Sequence, residues 1–286
     1  MPEVSRASNA AQTQRWNGES GRYWIANRKR HLAEHQHLVP HLFSAAGISP
    51  GDHVLDIGCG CGETTVAAAR AAGGAEAGPG GFAIGLDLSR PMLAVARRLA
   101  MQAEVSNTGF VQGDAQTCPL RQGSCNVMIS SFGVMFFEHP AAAFTRIANA
   151  IRRSGRLAFL CWQHDRFNEL LAIPLHAFGA YMQLPNSTAS DLFVDPQQVT
   201  GLLSITGWKN IETRAVNESA WMGSDVADVM GYVRGMPTIR ALVDRLGDEA
   251  IAERAFATIA EHYARRQRPD GVWVRAAAWL ITANRA

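Results

Sequence analysis

Val54-Leu55-Asp56-Ile57-Gly58-Cys59-Gly60-Cys61-Gly62-Glu63-Thr64-Thr65 is the stretch that decides how this chain reads. Val54, Leu55 and Ile57 form the apolar run of an interior strand. Gly58, Gly60 and Gly62 allow a sharp turn and a close approach of backbone to ligand. Thr64 and Thr65 lead into an alanine-rich helix, Val66 to Ala72. A strand, a glycine turn and a helix in this order make a nucleoside-binding unit.

Asp56 narrows the ligand. A dinucleotide site uses such a turn to hold a pyrophosphate on backbone N–H groups and a helix N-terminus. A carboxylate just before the glycines repels phosphate and suits a ligand with an ammonium group instead. S-adenosyl-L-methionine is such a ligand. The spacing is G-x-G-x-G, not the G-x-G-x-x-G of the dinucleotide fingerprint.

Further motifs follow in order. Phe82 to Asp87 is a second apolar strand ending in an acid that can accept both ribose hydroxyls. The glycine-rich stretch Gly73 to Gly81 before it reads as a lengthened surface loop. Gly109 to Ala115 is a short strand ending in Gly113-Asp114-Ala115, with Asp114 placed for an adenine amine. Asn126 to Ser131 is a fourth strand, running into Phe132-Gly133. Pro140 to Arg153 reads as a helix, and Gly155 to Trp162 as the fifth strand.

With these residues the chain resembles the class I, Rossmann-like S-adenosylmethionine-dependent methyltransferases, and is similar to their small-molecule branch of the ubiquinone/menaquinone type. Val54 to Gly62, Gly85-Leu86-Asp87-Leu88-Ser89, Gly113-Asp114-Ala115 and Asn126 to Phe132 carry the resemblance. It extends over about residues 50 to 165 and continues weakly to Ala283. It implies an α/β fold: a doubly wound, seven-stranded, mostly parallel sheet with one antiparallel strand near the C-terminus. Cys61 departs from the more usual Thr or Ser. The implied cofactor site is Asp56, Gly58, Cys59, Gly60, Gly62, Asp87, Leu88, Gly113, Asp114, Ala115 and Ser131, holding S-adenosyl-L-methionine and leaving S-adenosyl-L-homocysteine.

Composition agrees with a packed globular protein. The 286 residues are 47% hydrophobic and 18% charged, with a formal net charge of +2. Nucleic acid is not indicated by that charge, nor by Ser130-Ser131-Phe132-Gly133, which is not the Asn/Asp-Pro-Pro-aromatic element of base methylation. Arg28-Lys29-Arg30 and Arg265-Arg266-Gln267-Arg268 read as solvated helix faces. Five cysteines without a C-x-x-C pair argue against zinc and a disulfide framework, and fit a reducing cytoplasm. No apolar run is long enough for a membrane span. His31/His35 and His37/His41 are i,i+4 pairs of metal-binding spacing but lack a third ligand, so no metal is assigned.

Four segments are expected: a helical N-terminal extension or lid, 1–47; a core, 48–165; a helical cap with a returning helix and strand, 166–268; and a last core strand, 269–286. Residues 1 to about 15 read as loosely attached. Tyr23, Trp24, Phe132, Trp162 and Phe167 are candidates for the acceptor pocket. Methyl transfer is an in-line displacement in which a dedicated base is optional. His139 and His164, just after the fourth and fifth strands, are the candidate bases. The expected function is O-, N- or C-methylation of a small apolar or aromatic metabolite, with a homodimer allowed. A non-catalytic S-adenosylmethionine-binding protein and a nicotinamide-dependent oxidoreductase are the alternatives.

Overall fold

A computed structural model describes residues 9–73, 80–184 and 191–286. Most of the glycine-rich loop (74–79), part of the loop after Gln183 (185–190) and residues 1–8 lie outside the described residues. Four short helices open the chain: α1 (Ala10–Asn17), α2 (Glu19–Ala26), α3 (Arg28–His35) and α4 (Val39–Ala46). Strand and helix then alternate: β1 (His53–Ile57), α5 (Glu63–Gly73), β2 (Phe82–Asp87), α6 (Arg90–Gln102), β3 (Thr108–Gln112), β4 (Cys125–Ser131), α7 (Pro140–Ala150) and β5 (Ile151–Trp162). There follow α8 (Glu169–Gly179), α9 (Pro196–Ile205), β6 (Trp208–Gly223), α10 (Val226–Gly235), α11 (Pro237–Leu246), α12 (Glu249–Ala264), the two-residue β7 (Gln267–Arg268) and β8 (Gly271–Arg285).

The sheet runs β3-β2-β1-β4-β5-β8-β6, with β7 paired to β8 alone. β8 is antiparallel to both its neighbours, and the other pairs along the path are parallel. The expected seven-stranded sheet with one antiparallel strand is therefore present, and β7 adds an eighth, two-residue strand. β1 lies between β2 and β4, where the strand order reverses. A crevice opens at such a point outside the carboxyl ends of the strands, and ligands bind there. β4 and the end of β5 read as near-continuous apolar runs because both their faces are covered. Val127, Met128, Ile129, Leu157, Ala158, Phe159 and Leu160 are buried.

Several boundaries differ from the sequence reading. α7 ends at Ala150 rather than Arg153, because Ile151 pairs with Cys125 and begins β5. The ladder then slips before Val127 meets Arg156, and Ser154 sits at φ +65°. β6 is 16 residues long because it pairs with β8 over nearly its whole length. The segment expected to be loose up to about residue 15 instead includes α1. The Trp16 ring packs edge-on against Phe136 at 5.1 Å, and the Asn17 amide donates to the Leu88 carbonyl.

The basic cluster 28–30 is also not a simple solvated face. Arg28 pairs with Glu63 at 2.8 Å. Arg30 donates to the Met222 carbonyl and to Asp228, and its guanidinium lies 4.7 Å from the Tyr232 ring centre. Arg266 likewise pairs with Glu169 at 2.6 Å. Arg30 thus bolts α3 to β6 and α10. Among the described residues, no helix is long and apolar enough to cross a membrane. Arg30→Met keeps the aliphatic stem but loses the fork. It should cost about 1–3 kcal/mol in urea unfolding; a midpoint equal to wild type would show that the bolt contributes nothing.

Candidate functional site

The turn after β1 is built by close backbone packing. Gly58 has φ +68°, and a Cβ there would lie 2.7 Å from the Cα of Gly133. L side chains rarely adopt that φ, and no backbone atom can yield that distance cheaply. The turn therefore nests against the loop after β4. Its next residue but one, Gly60, donates its N–H to Asp87 Oδ2 at 2.8 Å. Asp87 Oδ1 accepts the Ser89 N–H at 2.7 Å. Burial nevertheless holds the Asp87 carboxyl above the usual carboxylate range. A carboxylate has about four lone-pair sites, so these backbone bonds leave it room for a further donor.

Asp56 lies beneath this turn rather than in the cavity wall. It is fully buried. Its Oδ2 accepts the Thr64 hydroxyl at 2.7 Å and the Thr65 hydroxyl at 2.6 Å. Its Oδ1 is buried without a hydrogen-bond partner among the described residues. Burial, opposed by the two threonines, pushes its pKa up to about 6, and the nearby Asp87 and Glu63 charges add to the rise. Asp56 thus ties strand to helix, and three carboxylates surround the turn.

A cavity of about 720 Å³ runs outward from the turn. Gly58, Cys59, Gly60, Asp87, Leu88, Gly113, Asp114, Ala115 and Ser131 border it, while Gly62 and Asp56 do not. Asp114 is partly engaged: its Oδ1 accepts the Gln116 N–H at 2.9 Å, and the Gln116 amide donates to both carboxylate oxygens at 3.0 Å. The other end of the cavity is capped by α2, α3, α8 and α11. Tyr23, Trp24, Phe132 and Trp162 all border it. Phe132 stacks on Trp162 at 3.9 Å and holds φ +62°, a left-handed conformation that a bulky residue adopts only when its surroundings force it.

Three predicted residues lie elsewhere. His139 is exposed ahead of α7, and its backbone N–H donates to Gln116 at 2.5 Å. His164 is exposed and pairs with its neighbour Asp165. Phe167 is exposed, under the Arg166 guanidinium. None of the three borders the cavity.

Sequence reasoning missed the polar group that does border it. His31, Glu34 and His35 project from α3 into the cavity, and Tyr232 faces them from α10. Glu34 Oε2 meets His31 Nδ1 at 2.8 Å, and the Tyr232 hydroxyl lies 3.4 Å from the same nitrogen. These contacts and the nearby His35 outweigh burial and hold the Glu34 carboxyl below its ordinary value. The His31 ring stacks on Trp24 at 3.8 Å. The other suspected pair points away: His37 bonds the Ser219 carbonyl and His41 bonds Glu218. Among the described residues, no three His, Cys, Asp or Glu side chains gather to hold a metal ion. The i,i+3 and i,i+4 spacing of His31, Glu34 and His35 was the available signal; it put all three on one helix face but not on a cavity.

A family model described as a methyltransferase domain matches residues 48–204, more than half of the chain. The chain belongs to this methyltransferase family. It is 26% identical over 208 residues to the demethylmenaquinone methyltransferase of Lactiplantibacillus plantarum, covering 66% of this chain and 84% of that one. The fold is similar to that of the YcgJ protein of Bacillus subtilis, with TM-score 0.56, 18% identity, and 88% and 98% of the two chains covered. It is also similar to a geranyl diphosphate C-methyltransferase from Streptomyces coelicolor, solved with Mg2+, geranyl diphosphate and S-adenosyl-L-homocysteine. That match has TM-score 0.51 and 14% identity, and covers 87% of this chain and 78% of the other.

Two expectations follow for the turn of this methyltransferase. Gly58→Ala should destabilise the fold by about 2 kcal/mol or more, read by urea unfolding; an unchanged midpoint would mean that the Gly58–Gly133 contact relaxes freely. The raised Asp56 pKa makes its ionisation cost stability as pH climbs from about 4 through about 6. Asp56→Asn should therefore gain on wild type across that window and keep the gain above it. Thermal melts at pH 4.5 and 7.5 would refute this if both gave the same difference.

Proposed function

We propose that this methyltransferase uses S-adenosyl-L-methionine to methylate a small apolar or aromatic acceptor. One observation carries the reading: a single cavity joins the glycine turn to an aromatic, largely apolar cap. A pocket of this size, with few polar groups, suits one cofactor and a modest organic ligand. The residues fit the cofactor. The Asp87 carboxylate faces the cavity with lone pairs to spare for ribose hydroxyls. Gly58 and Gly60 leave backbone exposed along the turn, and the Gly113 to Ala115 segment borders the adjoining wall. Asp56 and Asp87 set negative charge at the turn, which favours a ligand cation. The same charges disfavour the oxidoreductase alternative, whose pyrophosphate would have to lie against this turn.

When bound, the cofactor supplies an electrophilic methyl group. The chain holds and orients the two ligands and keeps water out. Segments 10–46 and 165–264 supply the enclosure. Tyr23 donates its hydroxyl to the Tyr232 carbonyl at 2.6 Å and stacks on that ring at 5.7 Å, so the two segments close on one another. Leu170, Leu171, Pro174 and Leu175 of α8 face Phe132 and Trp162 across an apolar space, which favours an apolar or aromatic acceptor over a charged polymer.

Calorimetric titration with S-adenosyl-L-methionine, S-adenosyl-L-homocysteine and NADH tests the reading. Micromolar binding of both adenosyl ligands and none of NADH is expected; the reverse pattern would overturn it. Asp87→Asn should weaken S-adenosyl-L-homocysteine by about 1.5–3 kcal/mol, roughly ten- to a hundred-fold. Equal affinity for variant and wild type would remove Asp87 from the ribose site.

A further inference from the structure

The acceptor end of the cavity holds several polar side chains, and Tyr23, Tyr232 and Glu34 are committed. The Tyr23 hydroxyl donates to the Tyr232 carbonyl. Tyr232 and Glu34 share His31 Nδ1. Burial pushes both tyrosine phenols well above their ordinary range, so neither gives up a proton near neutral pH. His31 Nε2 has no hydrogen-bond partner among the described residues, but it is sealed from solvent under Trp24.

His35 stands among the aromatic rings of this end with its nitrogens uncommitted. It borders the cavity one turn beyond His31 on α3. Its ring centre lies 4.9 Å from that of Phe132, 5.6 Å from Trp162 and 6.3 Å from Trp24. Neither ring nitrogen has a hydrogen-bond partner among the described residues. Burial, reinforced by His31 and opposed by Glu34, pushes its pKa down to about 4, so the ring is neutral at pH 7 and one nitrogen keeps a free lone pair. That lone pair stands beside the loop after β4, which Gly133 holds against the glycine turn.

We propose, resting on the function given above, that His35 is a catalytic residue for a hydroxyl-bearing aromatic acceptor. The acceptor's ring packs against the Phe132–Trp162 pair, its hydroxyl donates to the His35 ring, and His35 takes the hydroxyl proton during methylation. The balance is complete. An O–CH3 bond forms and the sulfonium S–CH3 bond breaks, its electron pair remaining on sulfur. The O–H bond breaks, and its proton passes to the imidazole nitrogen, which becomes imidazolium. A hydroxyl oxygen gaining a methyl group becomes far more acidic than an imidazolium, so even a weakly basic histidine receives that proton downhill. The neutral ring also selects its ligand. A site that hydrogen-bonds a hydroxyl rejects the analogue that cannot donate, and here that analogue is the methylated product.

The test needs no turnover. Equilibrium dialysis at pH 6.5 compares 7-hydroxycoumarin with 7-methoxycoumarin on protein saturated with S-adenosyl-L-homocysteine. The hydroxyl compound should bind roughly ten-fold or more tighter than its methyl ether. His35→Phe should bring the two within about three-fold of each other, leaving S-adenosyl-L-homocysteine affinity unchanged. His35→Asn, which restores an acceptor and guards against a misfolded phenylalanine variant, should recover part of the preference. Failure of wild type to bind S-adenosyl-L-homocysteine would overturn the underlying function. Normal cofactor-product binding would overturn this inference alone if neither coumarin bound, if no hydroxyl preference appeared, or if the preference survived in His35→Phe.

Discussion

The contact on which the rest of the site depends has no side chain in it. Gly58 and Gly133 meet backbone to backbone where the chain leaves β1 and β4. A Cβ on Gly133 would lie 2.8 Å from both the Gly58 Cα and the Ile57 carbonyl oxygen, so neither position accepts even alanine without movement. The restriction has two results. It brings the nucleoside-binding turn and the loop carrying Ser131 and Phe132 to one wall of the crevice. It also makes Phe132 follow a left-handed backbone, which turns its ring onto Trp162. The glycine turn and the aromatic wall are thereby set against each other by main-chain packing, before any lid is added.

The two ends of the cavity solve opposite electrostatic problems. Around the turn, Asp56 and Asp87 bring two buried carboxylates together, and burial pushes the pKa of each upward. Two threonine hydroxyls and two backbone N–H groups limit that cost for Asp56 and Asp87. At the cap, charge is removed from play. Glu34 is satisfied by His31, and Arg30 by Met222 and Asp228, so that aromatic faces and the neutral His35 imidazole dominate this end of the cavity. Buried polar groups without partners are costly, which is why so few remain uncommitted there.

The core was legible in the sequence because its signals are local. Three glycines two residues apart and an acid at a strand end each describe one turn, and nine of the eleven positions expected to meet a cofactor border the cavity. The cap was not legible in the same way. His139 and His164 were chosen because they follow strands, yet what a strand-end loop faces depends on the helices laid over it. His35 belongs to α3, near the start of the chain, and is brought to β4 and β5 only by tertiary packing against β6 and α10. Its helical spacing gave the face and left its partner unknown. Phe167 shows the same limit: it follows Trp162 by five residues, but a short turn carries it to the outer surface.

The position of β8 has a bearing on how the molecule assembles. It follows every other strand in sequence, yet it lies between β5 and β6. Until it arrives, β6 has no neighbour in the sheet. The Tyr23–Tyr232 bond that closes the cavity spans 209 positions of chain. Non-local pairings of this kind form late, after loop-closure entropy has been met. The nucleoside turn can therefore take shape while the acceptor chamber is still open, so that any ligand that stabilises the turn reaches it before the chamber that confers selectivity exists.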